Sequence, residues 1–279
     1  MIDIHTHVGK LVFNKPLKPS QLLRFMDKNG IEKSVVLPIE NPEETYYYVT
    51  TEEVLRACRR YPDRLIPFCN VDPRRGMSDT STDFYRIIKE YKEEGCKGFG
   101  EELSGLWIDD PRLQKIYEAC GTLRMPIVLH LDGLRNLDDK GLPRLEKMLK
   151  TFSETVFLGH AQHFWGEISS DIKKKDFSGY PEGKIKKGAL DRLLGKYPNL
   201  YGDLSAGSGY NALARDEEFA YPFLERNQNK LLFGTDYLSS GQKCPQIKFL
   251  KDAKGKGLIK KSVFEKITYK NAKKLLKIR

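Results

Sequence analysis

The chain has 279 residues, 39% hydrophobic and 31% charged, with a formal net charge of +10. That balance describes a globular protein with a sizeable core, and the length suits one barrel-sized domain of about 250 residues better than two full domains. No stretch approaches the roughly 18 consecutive apolar residues of a membrane span, no signal peptide precedes the first strand, and five cysteines without a Cys-x-x-Cys pair read as reduced thiols, so a cytoplasmic location is expected.

Strands and helices are predicted in alternation. The first strand, 2–7, carries Asp3-x-His5-x-His7. Side chains alternate across a pleat, so His5 and His7 reach one face together with Asp3 behind them. Imidazole is the commonest protein ligand for Zn²⁺ and also suits Fe, Ni and Cu. A helix over 20–29, capped by Ser20 and stopped by Gly30, leads to a strand over 33–39. Its unbroken Val35-Val36-Leu37 run fits a parallel strand covered on both faces.

A helix over 51–61, with Glu52 and Glu53 where the dipole favours them, precedes a strand over 64–71. Then come a helix over 83–94, a strand over 95–101 ending in Glu101, and a helix over 111–124. A strand over 126–131 carries His130, and after a helix over 142–152 a strand over 155–160 ends in His160. The one long connection, 161–188, holds His163, Trp165 and a Lys173–Lys175 run; such a length is usually functional, often an active-site cover.

A helix over 189–197 and a strand over 199–205 follow, with Asp203 and Ser205 facing inward and a flexible glycine-bearing loop over 205–209. A helix over 216–228, a strand over 230–236 ending in Asp236, and a helix over 245–254 complete the alternation. From 241 to 279 there are thirteen Lys or Arg against two acidic residues, a local balance of +11, while 1–240 balances at −1. Val263, Phe264, Ile267, Leu275 and Leu276 recur at helical spacing there. The lysines are therefore read as the solvated face of a docked helix over 260–279, and neither nucleic acid nor membrane is the expected partner. A homo-oligomer is compatible with all of this.

Eight strands, each followed by a helix, predict one (β/α)₈ TIM barrel. Active sites of such barrels lie at the C-terminal ends of the strands. His5, His7, Glu101, His130, His160 and Asp236 all fall there and include four of the five histidines. Glu102 points the other way. His163 reads first as a surface histidine and second as a substrate contact. Trp165 is placed to stack on a planar substrate or to pack the loop. Ser205 and Arg215, with Tyr210 nearby, are placed to hold a substrate carboxylate or hydroxyl, or to shape a turn.

The ordered set Asp3-x-His5-x-His7, His130, His160 and Gly234-Thr235-Asp236, closed by Ile267-x-x-x-Asn271-Ala272-x-x-Leu275, resembles the amidohydrolase superfamily. The branch is that of the amidohydrolase-related (Amidohydro_2-type) metal-dependent barrels. Members with a bridging lysine carry it on strand four; Lys97 lies four residues too early, so Glu101 is the better bridge. A Gly-Glu at this point is also similar to TatD-type metal-dependent nucleases.

The resemblance implies a divalent metal, Zn²⁺ first among them. His5, His7, Asp236 and Glu101 would hold one ion, and Glu101, His130 and His160 a second. In a one-ion version His5, His7, His130 and Asp236 are the ligands, and His160 is acid, base or stabiliser. The expected function is hydrolysis of a small-molecule amide, ester or lactone, with Asp236 and His160 catalytic. A decarboxylase or other lyase and a TatD-like nuclease or phosphoesterase are the alternatives.

Overall fold

The computed structural model of the chain describes residues 1–9, 16–42, 48–76 and 79–278. In chain order these form β1 (Ile2–Thr6), α1 (Pro19–Asn29), β2 (Lys33–Val36), α2 (Thr51–Arg59), β3 (Leu65–Pro67), α3 (Phe84–Glu93), β4 (Phe99–Glu102) and α4 (Pro111–Leu123). Next are β5 (Ile127–His130), α5 (Pro143–Thr151), β6 (Phe157–His160), α6 (Gln162–Gly166), α7 (Ala189–Lys196), β7 (Leu200–Asp203), α8 (Ala206–Ala214) and α9 (Glu217–Arg226). The chain ends with β8 (Leu231–Leu232), α10 (Pro245–Gly255), α11 (Lys261–Glu265), one π-helical turn (Lys266–Lys270) and α12 (Asn271–Leu276).

All strand pairs are parallel, in the orders β1-β2-β3 and β4 through β8. Backbone bonds join the two sets at both seams. Just past β3, Cys69 N donates to Gly98 O and Gly100 N to Cys69 O. Just past β8, Ile4 N donates to Phe233 O, Asp236 N to His5 O and His7 N to Tyr237 O. The result is a TIM barrel with its helices outside.

Ile2, Ile4, Val35, Leu37, Ile66, Phe68, Val128, Leu158 and Leu232 fill the interior, and Ala272 and Leu276 of α12 join the same cluster. A larger cluster lies between strands and helices, including Val36, Phe99, Ile127 and Phe157 against Leu22, Ile116 and Leu149. Each such side chain contributes about 1.5–3 kcal/mol on burial. Val128 and Leu158 face inward, so His130 and His160, two residues on, reach the mouth by simple alternation.

Pairing slips between Asp3 and Thr6 on β1 and between Phe99 and Glu102 on β4. Phe99 faces the helices, and strict alternation would send Glu101 with it; with the slip, Glu101 turns into the mouth. Gly100 makes this possible. Its φ is +105°, and a Cβ there would lie 2.6 Å from Val128 O.

Three local expectations change. The first long helix begins at Pro19, where Lys18 N donates to the Gln21 side chain, so Ser20 lies inside the helix and does not cap it. The loop expected over 205–209 is the start of α8. Its glycines serve close approach: a Cβ on Gly209 would lie 2.5 Å from the Leu204 carbonyl carbon. The long connection contains α6 and a 3₁₀ turn, and a Ser169–Lys187 bridge pinches it.

At the C-terminal end, Val263, Ile267, Ala272 and Leu276 are buried, while Lys260, Lys261, Lys270, Lys274 and Lys277 are exposed. The Asn271 amide donates to Gln228 O and Leu231 O, tying the segment beneath β8. Among the described residues no helix is long and apolar enough to cross a membrane.

Candidate metal centre

Four donor atoms from β1, β4 and the chain just past β1 and β8 converge at the mouth. His5 Nε2 and His7 Nε2 are 3.2 Å apart. Glu101 Oε2 lies 3.3 Å from the first and 3.4 Å from the second. Asp236 Oδ1 lies 3.6 Å and 3.3 Å from the same atoms. A tetrahedral ion with bonds of about 2.0–2.1 Å has ligand-to-ligand edges of about 3.3–3.4 Å. The spacing fits.

Hydrogen positions make the fit stronger. His7 Nδ1 faces the Leu37 carbonyl at 3.0 Å, and a carbonyl only accepts, so the ring proton of neutral His7 sits there. His5 Nδ1 is 2.6 Å from Asp203 Oδ2, another acceptor. Both Nε2 lone pairs therefore point at each other and at two carboxylate oxygens. Such a cluster in a buried site needs a cation at its centre, either an ion or protons.

Without an ion, protons supply that charge. Burial opposes a charged His5, but Glu101 and Asp203 outweigh it and hold its pKa well above the ordinary value. Burial likewise opposes His7, and Asp236 and Glu101 lift it to about 9. Burial resists ionisation of Glu101 too, yet His5 and His130 hold it well below the usual carboxylate range. His160 differs: burial and the neighbouring His5 cation lower it to about 4.

The second face of Glu101 looks towards β5 and β6. Its Oε1 is 2.5 Å from His130 Nδ1 and 3.7 Å from His160 Nε2. His130 Nε2 lies 3.2 Å from Asp132 Oδ2, and Arg135 and two backbone amides hold that aspartate. His130 and Asp236 have side chains 16% and 19% exposed, while none of the other four exceeds 4%. These two are the most exposed of the six donors.

Three of the four expected substrate residues, His163, Trp165 and Ser205, are buried. His163 is fully buried, so it is not a surface histidine; its ring stacks on Phe177 at 3.5 Å, and its Nε2 is 3.4 Å from Glu167. Trp165 is also buried, its Nε1 donating to Asp203 O at 2.7 Å, which leaves no face for a planar substrate. Ser205 is buried with its Oγ 3.0 Å from His160 Nδ1, so it orients a histidine and does not meet solvent. Arg215 ends α8 and lines a groove with Ser169, Asp171 and Asp176 that contains none of the six donors. Glu102 does point away, to Ser104 N and the Asn136 amide. Lys97 lines hollows with Pro67, Arg124 and Lys277, away from the donors.

Sequence reasoning missed two supports. Asp132 carries the signal His-x-Asp, two residues past His130. Thr235 fixes Asp3 with its amide and hydroxyl, and burial raises the Asp3 pKa to about 7.

A family model described as Amidohydrolase matches residues 2–278. An uncharacterized TIM-barrel protein from Bordetella bronchiseptica is similar in fold, with a TM-score of 0.69 and 17% identity over 99% of this chain and 98% of that one. A probable 2-pyrone-4,6-dicarboxylic acid hydrolase from Acinetobacter baumannii has a TM-score of 0.64 and 17% identity over 99% of both chains. The 5-carboxyvanillate decarboxylase from Novosphingobium aromaticivorans, complexed with manganese, has a TM-score of 0.57 and 16% identity over 92% of this chain and 80% of that one. No curated protein matches the chain by sequence.

Proposed function

The chain belongs to the amidohydrolase family, and on that premise we propose that it is a metal-dependent hydrolase acting on a small-molecule amide, ester or lactone. One observation carries the metal reading: two imidazole lone pairs and two carboxylate oxygens face one point, with both ring protons turned away. His5, His7, Glu101 and Asp236 would hold the ion, and nitrogen and carboxylate donors at this spacing favour Zn²⁺. A bound divalent ion supplies Lewis acidity and lowers the pKa of a water it holds from 15.7 towards about 7.

A second ion would share Glu101 with His130 and His160. Glu101 Oε1 and His130 Nδ1, 2.5 Å apart, are closer than two ligands of one ion, so this pair would have to part to admit the second ion.

Asp236 stands at the opening, where its carboxylate can take a proton from an attacking water and return it to the leaving group. His130, held between Glu101 and Asp132, is the second group able to move a proton at the mouth. His160 sits beneath them, enclosed and neutral near pH 7, and presents Nε2 to the centre without adding charge.

The complete four-donor set also suits a one-ion lyase, which makes decarboxylation of an aromatic acid the second reading. A screen of amides, lactones, aromatic acids and phosphoesters with the Zn²⁺-loaded protein tests both. Hydrolysis of an amide, ester or lactone is expected. Turnover only of carboxylated aromatics with CO₂ release replaces the hydrolase with the lyase, and turnover only of phosphoesters replaces it with a nuclease or phosphoesterase. Five free cysteines, four of them buried, fit a reducing compartment such as the cytoplasm.

A further inference from the structure

We propose that Asp203 is a positioning residue that ties the ion to His160: one carboxylate oxygen hydrogen-bonds Nδ1 of His5 and acts on Nδ1 of His160 by its charge, with Ser205 as the hydrogen-bonding clamp on His160. This rests on the reading of His5 as a metal ligand.

Asp203 Oδ2 lies 2.6 Å from His5 Nδ1 and 3.5 Å from His160 Nδ1. Ser205 Oγ reaches the same His160 nitrogen at 3.0 Å. The two rings lie with centroids 4.4 Å apart, so one oxygen stands close to both. Among the described residues, Asp203 forms ion pairs with these two histidines alone. A fully buried carboxylate with no Lys or Arg partner among the described residues needs such donors.

The surroundings hold it still. Its Oδ1 accepts from Ser205 N at 3.0 Å, and its carbonyl accepts from Trp165 Nε1 at 2.7 Å. Strand eight leaves room for the clamp: a Cβ on Gly234 would lie 2.7 Å from Asp203 Oδ1 and 2.8 Å from Ser205 Cβ. The glycine of Gly234-Thr235-Asp236 is thus required by a side chain from β7.

An oxygen that only accepts places the His5 proton on Nδ1 and leaves Nε2 free for the ion. Carboxylates in this position orient the ring and raise its basicity as a ligand. The charge of the same oxygen, 3.5 Å from His160 Nδ1, favours a proton on that nitrogen; Ser205 Oγ then accepts it at 3.0 Å, and the Nε2 lone pair turns towards Glu101 Oε1. One residue thus fixes the tautomer of His5 and biases that of His160, two imidazoles with different tasks.

Histidine ¹⁵N NMR and Zn²⁺ competition against a chelating dye test this in the full chain, comparing wild type, Asp203→Asn and Ser205→Ala. Asp203→Asn is expected to lower Zn²⁺ affinity about 10- to 100-fold, the effect of losing an outer partner of a metal-bound histidine, and to move the Nδ1 signals of both His5 and His160. Ser205→Ala should move the His160 signal alone and keep the wild-type affinity. Wild-type affinity in Asp203→Asn, or an unmoved His160 signal in both variants, overturns the proposal. Wild-type protein that binds no Zn²⁺ withdraws the metal reading instead, and the Nδ1 signals of the metal-free variants still decide whether Asp203 holds both rings.

Discussion

His5 and His7 present their Nε2 atoms to one another at 3.2 Å, with each Nδ1 already committed to an acceptor behind it. That arrangement is stable only around positive charge, and what supplies the charge depends on pH.

In the metal-free protein the charge is carried by protons. Burial opposes it, but neighbouring carboxylates hold His7 and His130 at about 9. An unfolded histidine titrates at about 6.5, so these two stabilise the fold fully below that pH and lose the contribution as pH rises through their folded values. Ion binding runs the opposite way, because ligands must shed the same protons. Zn²⁺ affinity should therefore climb from pH 6 to pH 9, with about two protons released at pH 7 from His5 and His7. Calorimetry in buffers of different ionisation enthalpy counts them; pH-independent affinity would contradict the assignment.

His130 and Asp236 both face the opening, yet only Asp236 belongs to the four-donor set. His130→Ala should keep the first ion and lose about 10²- to 10⁴-fold in kcat, the range for removing a proton-transfer group. Asp236→Asn should lose both the ion and the rate. Metal content measured beside kcat separates the two; equal loss of metal in both variants would make His130 a ligand of the first ion.

Trp165 packs the chain after β6 onto Asp203. Trp165→Phe should cost about 1–3 kcal/mol by leaving the Asp203 carbonyl unpaired, with KM for the identified substrate unchanged. Urea unfolding and steady-state kinetics check it. A raised KM with unaltered stability would return Trp165 to the substrate.

Asn271 makes two hydrogen bonds from the last helix to the chain around β8, to Gln228 O and Leu231 O. Asn271→Ala should cost about 1–3 kcal/mol for the carbonyls left unpaired while metal affinity stays at the wild-type level. Chemical unfolding and Zn²⁺ competition read the two effects separately.

Much of this was legible in the sequence for a simple reason: strand ends and period-two alternation are local properties. His130 and His160 follow Val128 and Leu158 by two residues on regular strands, so both their place and their direction could be read. Glu101 was placed by its position at a strand end, not by alternation, since the slip between Phe99 and Glu102 reverses its face. The fates of His163 and Trp165 were not legible, because Phe177 and Asp203 bury them from elsewhere in the chain. Glycines at 207 and 209 signalled a loop but serve helix packing against Tyr180 and Leu204. Asp203 showed its inward parity, yet nothing local says that two histidine rings share it.

The most direct test is elemental analysis of the purified protein after Zn²⁺ loading and exhaustive dialysis, beside a His5→Ala/His7→Ala variant of verified fold. One tightly retained ion per wild-type chain and none in the variant is the expected result. Wild-type chains that retain no ion, or a variant that retains as much, would contradict the metal centre and the chemistry built on it.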